Sequence, residues 1–257
     1  MKIVKKFSLL FVLIFFLSLI FPDHSALADK RYLVGSGNFN DNSIWSETSN
    51  GTGGASYPGS DDWVILDANS DDFKVRLVGN VSIDSLDIAA GTFDAVTFYL
   101  RVTNDINITG DSLLLGTNTG HIFRKNLNLS GGGILDCGSS TWNLRGDIVI
   151  TGGTFNAGTS TLVFSNNDGS EQNLSSNTSL TLYNVTVNQA NPDNEFSKIN
   201  FDNNSTNAII FTINGTLNMV YPDQEGINLT LSGSYRLTPS FTSLFTRSIL
   251  ELIVVFL

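Results

Sequence analysis

The residues with the clearest chemical potential in this chain are two aspartates that recur at a fixed interval. Asp105, Asn126 and Asp147 are 21 positions apart, and each precedes an Ile or Leu. If the repeats stack as parallel strands about 4.8 Å apart, the two aspartates lie about 9.6 Å apart between backbones. Inverting glycosidases hold their carboxyl groups roughly 6.5–9.5 Å apart. A polysaccharide-cleaving pair at Asp105 and Asp147 is therefore one hypothesis, and a solvated polar ladder is the alternative.

Nucleophilic catalysis has few candidate residues here. His121 is the only histidine after residue 28, and Cys137 is the only cysteine. His121 aligns with Thr141 and Thr161 of later repeats, which predicts a side chain that points to solvent. Cys137 aligns with Ala157, where a small side chain is expected, and a buried unpaired cysteine usually serves packing. We expect neither residue to be catalytic.

Two oxygen-rich segments, Asn38 to Asn42 and Asn166 to Glu171, contain the ligand type that Ca²⁺ prefers. Neither segment follows the EF-hand spacing or the Gly-Gly-x-Gly-x-Asp repeat. Asn and Asp are equally favoured in corners because of their turn chemistry. The sequence therefore predicts no metal site and no cofactor, with Ca²⁺ as the one cation that these loops suit.

Residues 1–28 have the three parts of a secretory signal. Residues 2–6 contain three lysines, Phe7 to Phe21 is an apolar run, and Ala26-Leu27-Ala28 is a small-x-small cleavage site. A retained membrane anchor is disfavoured because the apolar run is short for a bilayer span. We expect export to the extracellular space or cell surface, with a mature chain that begins near Asp29 and has no membrane span.

The charge balance limits the partners. The full chain has 14 Lys plus Arg against 24 Asp plus Glu, a net charge of −10. Removal of the predicted signal takes away three Lys and one Asp, which leaves −12. Such a surface repels nucleic acid and anionic lipid headgroups, so we expect neither as a partner. A single cysteine excludes an internal disulfide, so an exported chain must rely on its apolar core.

The candidate aspartates belong to a repeat that returns four times between Ser85 and Phe164. Its first apolar residues are at positions 86, 106, 127 and 148, so the spacings are 20, 21 and 21. Apolar–polar alternation indicates a strand with one buried face, and the glycines that follow favour sharp corners. Strands at a period near 20 residues are typical of a solenoid. The sequence predicts an all-β parallel β-helix with Leu86, Ile106, Leu127 and Ile148 stacked inside.

The segment before the repeats has a different texture. It runs Tyr32-Leu33-Val34-Gly35-Ser36-Gly37-Asn38-Phe39, then Ile44-Trp45-Ser46, and after a Gly-rich loop Tyr57-Pro58-Gly59-Ser60-Asp61-Asp62-Trp63-Val64-Ile65-Leu66-Asp67. These motifs resemble the N-terminal module of bacterial extracellular β-solenoid, adhesin-like repeat proteins, in which Leu33 and Phe39 are often Trp. The later Ser160-Thr161-Leu162-Val163-Phe164 is similar to repeats of the same proteins. The resemblance implies a right-handed single-stranded parallel β-helix with a surface or adhesive role, and it implies no catalytic residues.

Large aromatic side chains predict that residues 29–79 form an N-terminal β capping module. An uncapped solenoid end exposes unpaired backbone groups and an apolar cross-section. Trp45, Trp63 and Tyr57 are large enough to cover that cross-section. The alternative is that these three residues form an aromatic platform that binds a sugar.

The chain after the capping module is expected to form coils over residues 80–247. An inserted loop is expected near 188–207, where Pro192 and many Asn and Asp residues interrupt the strand pattern. The last ten residues, 248–257, are nearly all apolar but too short to span a bilayer. They fit a last buried strand, a helical end cap or the edge of a fragment.

Three functional hypotheses follow. The leading one is a secreted or cell-surface structural or adhesive β-solenoid, non-catalytic, that binds surfaces, glycans or partner proteins through its lateral face. The second is a β-helix glycoside hydrolase or lyase that uses Asp105 and Asp147. The third is the N-terminal stalk of a longer surface protein.

Overall fold

A computed structural model describes residues 28–165, 172–188, 198–203, 211–220 and 228–231. This part of the chain is all-β, with two single-turn 3-10 helices at Asn42–Ile44 and Ala68–Ser70. The expected signal (apart from Ala28), the oxygen-rich segment from Asn166 and the apolar tail 248–257 lie outside the described residues.

The strands are short, and most have three or four residues. In chain order they are β1 (Lys30–Leu33), β2 (Gly37–Asn38), β3 (Trp45–Ser46), β4 (Trp63–Leu66), β5 (Lys74–Arg76), β6 (Val81–Ile83), β7 (Ser85–Ile88), β8 (Thr92–Asp94), β9 (Leu100–Val102), β10 (Ile106–Ile108), β11 (Ser112–Leu114), β12 (His121–Phe123) and β13 (Leu127–Leu129). They continue as β14 (Ile134–Asp136), β15 (Thr141–Leu144), β16 (Ile148–Ile150), β17 (Thr154–Asn156), β18 (Thr161–Phe164), β19 (Gln172–Ser176), β20 (Leu180–Leu182), β21 (Asn184–Asn188), β22 (Lys198–Asn203), β23 (Phe211–Ile213), β24 (Leu217–Val220) and β25 (Asn228–Leu231).

Three long sheets run along the molecule, and successive coils add one strand to each. Sheet A has the order β3-β1-β4-β7-β10-β13-β16-β19-β22-β25, sheet B has β2-β5-β8-β11-β14-β17, and sheet C has β6-β9-β12-β15-β18-β21-β24. A further parallel pair, β20-β23, is separate from these sheets. Along the chain, each of its strands lies between a strand of sheet A and a strand of sheet C, where the earlier coils have a strand of sheet B. Five consecutive coils, from β4-β5-β6 to β16-β17-β18, have a strand in all three sheets. The predicted parallel β-helix is confirmed.

The interior is built from columns of apolar side chains, one residue from each coil. Ile106 pairs with Leu86 on one side and Leu127 on the other, and Leu127 pairs with Ile148. All four side chains are fully buried. Because alternate strand residues point to opposite faces, their neighbours such as Asn128 lie on the outer face. The predicted inward and outward positions in sheet A are therefore confirmed.

Stacking begins inside the segment expected to form the capping module. Val64 of β4 pairs with Leu86, and Val75 of β5 pairs with Phe93, both in the register of the later coils. Strands β1 and β2 add one more strand to sheets A and B, and β3 closes sheet A as an antiparallel edge. The alternating apolar residues of Trp63–Leu66 explain why this stretch joins the stack.

The prediction that His121 points to solvent is wrong. His121 pairs with Trp142 and is fully buried, while Ile122 is on the outer face. Six residues (115–120) separate Leu114 of sheet B from His121, but five (137–141) separate Asp136 from Trp142. The corner 115–120 lies before His121 and does not set its distance from Trp142. That spacing is 21 rather than 20 because the corner 130–133 has four residues, whereas the corner 151–153 has three. A one-residue shift exchanges the two faces of a strand.

The corner between sheets B and C has a left-handed backbone residue in each of four coils. Val96, Gly116, Gly138 and Gly158 have φ values of 56°, 66°, 54° and 55°. A Cβ on Gly116 would lie 1.7 Å from the carbonyl oxygen of Val96 in the preceding coil. The close approach of the preceding backbone excludes a side chain at Gly116, and the positive φ adds to the preference for glycine there.

At the C-terminal end, part of the expected inserted loop is a strand. Strand β22 falls within 188–207 and pairs in parallel with β19, with Leu174 opposite Phe201. In the described ranges, no helix is long and apolar enough to cross a membrane.

Candidate functional site

The aspartates proposed as a catalytic pair are part of a hydrogen-bonded ladder at the entrance to sheet A. The side-chain oxygen of Asp105 accepts a hydrogen bond from the backbone N–H of Asn126 (3.1 Å), and that of Asn126 accepts one from the N–H of Asp147 (3.0 Å). Asp147 continues the ladder because its carboxylate accepts from the N–H of Asn173 at 2.8 Å. Each side chain thus binds the backbone of the next coil.

This arrangement separates the two carboxylates by one coil that carries an amide. The side chain of Asn173 also donates to both carboxylate oxygens of Asp147, at 3.3 Å each. A general acid or base must reach a proton of the substrate, whereas both oxygens of Asp147 and one oxygen of Asp105 accept hydrogen bonds from neighbouring N–H groups. The geometry suits a corner-stabilising role for Asp105 and Asp147.

A second polar ladder lies on the outer face of sheet A. The amide nitrogen of Asn107 donates to the carboxylate of Asp87 at 2.7 Å, and that of Asn128 donates to the amide oxygen of Asn107 at 2.8 Å. All three side chains are half-buried. The row ends at Val149, which pairs with Asn128 in the next coil. It forms a narrow polar strip with its donors and acceptors fixed along the solenoid axis.

The two tryptophans proposed as cap or sugar platform have different environments. Trp45 is fully buried, its indole N–H donates to the carbonyl of Phe39 at 2.8 Å, and its ring meets Phe39 edge to face. It has no ring face at the surface, so its position is that of a core residue at the end of sheet A rather than a sugar platform. Trp63 is half-buried, with the Lys30 ammonium 4.7 Å from its ring centroid.

Tyr57, the third aromatic candidate, lies in a surface cleft of about 300 Å³. The cleft is also lined by Phe39, Pro58, Val78, Val81 and Ser82. Tyr57 and Val78 are 50% and 44% exposed, the largest values among the bulky apolar or aromatic side chains in the part of the chain that the structure describes. The cleft combines an exposed ring with one end of sheet C, which the sequence pattern did not indicate.

Outward-facing charges meet on sheet B. The Asp94 carboxylate lies 2.9 Å from the Lys74 ammonium and 3.4 Å from Nε of Arg76. Its other oxygen accepts from the N–H of Val96 at 2.9 Å, at the left-handed corner. Alternation alone puts these residues on one face, but only the pairing of β5 with β8 brings them together. The cluster neutralises a nearly buried carboxylate.

His121 and Cys137 are both interior residues. The Nδ1 atom of His121 accepts from the N–H of Leu100 at 3.1 Å, and Nε2 lies 3.0 Å from the carbonyl of Leu115. These partners fix a neutral imidazole that donates through Nε2, and burial lowers the pKa of His121 to about 4. Burial raises the pKa of the Cys137 thiol well above its usual range. Neither group is a nucleophile or base at neutral pH.

The oxygen-rich segment Asn38 to Asn42 serves the backbone. Asp41 accepts from the side chain (2.7 Å) and the N–H (2.9 Å) of Ser43, and these bonds lower the pKa of Asp41. It caps the short helix Asn42–Ile44. Within the described ranges, no group of three His, Cys, Asp or Glu residues could hold a metal ion.

Comparison of the chain with known proteins gives no relative from which a function can be transferred. No protein-family model, no curated protein and no solved structure matches it.

Proposed function

We propose that this chain is an exported, non-catalytic β-solenoid that acts at a surface. The outer face of sheet A, which carries the ladder of Asp87, Asn107 and Asn128, binds glycans or partner proteins. The surrounding corners, stabilised by Asp105 and Asp147, hold that face straight. Nucleic acid is not a partner because the chain carries a net charge of −10.

One observation carries this proposal. The outward polar side chains of consecutive coils are hydrogen-bonded to each other or to the next backbone rather than grouped in a cavity. Such ladders present carboxylate and amide groups at intervals of about 4.8 Å, which suits a repetitive or extended partner. Catalysis instead needs a few groups that converge on one reacting atom.

The proposal of export is supported by the sequence of residues 1–28. N-terminal sequencing of the protein recovered outside the producing cells tests it. We expect a chain that begins at Asp29. Recovery of the uncleaved chain inside the cells contradicts export.

The binding role is tested with the purified chain and a panel of neutral and acidic polysaccharides and immobilised extracellular proteins. Retention and release of new reducing ends are measured together. We expect binding without turnover, and loss of binding when Asn107 and Asn128 are both changed to Ala. Asn143→Ala, on the outer face of sheet C, is the matched control and should retain binding.

The enzyme hypothesis has a distinct outcome in the same experiment. Turnover that Asp105→Asn or Asp147→Asn abolishes contradicts the non-catalytic proposal. Turnover that survives both changes places catalysis elsewhere, and it also contradicts the proposal.

A further inference from the structure

The three sheets do not end at the same level at the N-terminal end of the solenoid. Before the first complete coil, β1 extends sheet A and β2 extends sheet B. Sheet C has no corresponding strand: within the described residues, β6 is its last member. After Phe39 the chain leaves the coil path and forms the helix Asn42–Ile44 and strand β3. Among the described residues, the strand position of sheet C beside β6 is therefore vacant.

The backbone of β6 faces this position with unused pairing groups. The N–H of Val81 donates to Tyr99 (2.9 Å) and the carbonyl of Ile83 accepts from Thr103 (3.1 Å), both in the following coil. In a parallel ladder, alternate residues direct their N–H and C=O to opposite neighbours. Ser82 therefore directs its N–H and C=O away from β9, towards the vacant position. An edge of this kind is a template for a further strand.

The cleft that contains Tyr57 coincides with the vacant position. Val78, Val81 and Ser82 form one wall, and Phe39, Tyr57 and Pro58 lie around it. In the later coils the interior column of Val81 continues through Leu100, His121 and Trp142, and each of these is fully buried. Val81 itself is only half-buried, because no residue of a preceding coil covers it.

We propose that this cleft binds an extended polypeptide segment, which pairs with β6 and continues sheet C by one strand. The continuity of the sheet defines the occupant. Each filled position of sheet C holds a strand with an apolar or aromatic residue in the Val81 column and an outward neighbour. The segment therefore places one bulky apolar residue over Val81, against Phe39 and Tyr57. A neutral or basic segment is favoured by the net charge of −10.

This site differs from the lateral face of sheet A and does not depend on its function. A sugar would use Tyr57 as a stacking platform, but it would not need the backbone N–H of Ser82. A strand needs that N–H, because main-chain hydrogen bonds provide the affinity in strand addition. The two occupants are therefore distinguished at Ser82.

The test uses the full chain, secreted and purified, and a fluorescent nonapeptide with capped ends that copies residues 97–105, including β9. Binding is measured by fluorescence anisotropy. Ser82→Pro removes the edge N–H, and proline is tolerated on an edge strand where that N–H faces outwards. Ser82→Ala keeps the N–H and is the matched control. We expect Ser82→Pro to weaken binding at least tenfold and Ser82→Ala to change it less than twofold.

A second arm leaves the protein unchanged. The same peptide is N-methylated at the residues that copy Leu100 and Val102, whose N–H groups face β6 in the expected pairing. We expect the methylated peptide to bind with at least tenfold lower affinity. This result does not depend on whether Ser82→Pro folds. The proposal is overturned if the peptide does not bind, if N-methylation has no effect, or if folded Ser82→Pro binds it normally. Self-association that Ser82→Pro abolishes, without peptide binding, also overturns it and assigns the cleft to a second copy.

Discussion

The Nδ1 atom of His121 bonds the backbone N–H of Leu100, one coil earlier, at 3.1 Å. Other amides at strand entrances donate to a carbonyl of the following coil, as Val81 does to Tyr99. An imidazole thus replaces a backbone carbonyl in the interior of sheet C. The replacement works only while Nδ1 has no proton, so the protonation of one side chain is coupled to the pairing of two coils.

We predict that this coupling makes stability fall with acid. The pKa of His121 is lowered to about 4 in the folded chain against 6.5 when unfolded. The unfolded state then binds more protons between these values, so stability is lost as pH falls from 6.5 to 4, by about 3 kcal/mol in total. The measurement is urea unfolding at several pH values for the native chain and for His121→Leu.

The variant is the reference because both chains share all other titrating groups. His121→Leu leaves the N–H of Leu100 without a partner, so it is less stable at pH 7.5. The difference between the two chains should shrink as the pH falls. A difference that stays constant from pH 7.5 to 4 contradicts the prediction.

The two tryptophans provide a second, matched prediction. Trp45→Phe removes the donor to the Phe39 carbonyl and should cost about 2 kcal/mol of unfolding free energy. The indole N–H of Trp63 is buried without a partner, so Trp63→Phe removes an unsatisfied donor and should be close to neutral or stabilising. Thermal unfolding of both variants checks this. Equal losses would show that ring size, not the N–H, decides.

The corner ladder predicts that an oxygen acceptor matters more than a negative charge. Asp105→Asn keeps an oxygen for the N–H of Asn126 and should change stability by less than about 0.5 kcal/mol, whereas Asp105→Ala should cost about 1 kcal/mol. Asp147→Ala should cost more, because Asp147 accepts from both the backbone and the side chain of Asn173. Chemical denaturation ranks the three variants, and the reverse order contradicts the ladder.

Two glycines test the left-handed corner. Gly116 has a φ of 66°, and an added Cβ would lie 1.7 Å from the Val96 oxygen, so Gly116→Ala should destabilise by several kcal/mol or prevent folding. Gly132 has no atom within 4 Å of an added Cβ, so Gly132→Ala should be neutral or slightly stabilising. The unfolding midpoints provide the check, and similar values for the two variants would refute the assignment.

The inside–outside register predicts opposite outcomes at adjacent residues. Leu127→Asp buries an unpaired carboxylate and removes roughly 2 kcal/mol of apolar burial, so it should unfold the chain. Asn128→Asp loses the hydrogen bond to Asn107 and should cost about 1 kcal/mol. Far-UV circular dichroism in urea measures both. A larger loss for Asn128→Asp than for Leu127→Asp would reverse the register.

The sheet A core was predictable because its repeat is nearly constant. Spacings of 20 and 21 residues between Leu86, Ile106 and Leu127 place equivalent residues on one another, because the spacing of 21 already contains the extra residue of the corner 115–120. The same argument failed at His121, since the sequence does not mark the extra residue in the corner 130–133, which lengthens the repeat to 21 residues at that position. Apolar–polar alternation marks the residues within strands, so it does not reveal how many residues the corner between two strands contains.

The candidate sites were less predictable because they depend on places where the chain departs from the regular coil. Tyr57 and Trp63 were identified as large aromatic residues, but the cleft beside Ser82 exists because the chain departs from the coil after Phe39. That departure involves residues with no repeat counterpart. Similarly, a 21-residue spacing brings Asp105 and Asp147 into one column, but the hydrogen bonds that their carboxylates accept from Asn126 and Asn173 follow only from the backbone geometry of the corner.

The extra residue in the corner 115–120 shows how a single coil of the solenoid can differ in length from its neighbours. Strand β12 returns to register with both β9 and β15, so the added length is absorbed within one corner. The circumference of a coil is thus free to differ from that of its neighbours, while the stacking distance stays fixed. An epitope tag inserted at this corner would protrude from a single layer and leave the others in place. In this architecture, a corner can therefore be lengthened at the surface without a change in the stacking of the coils along the axis.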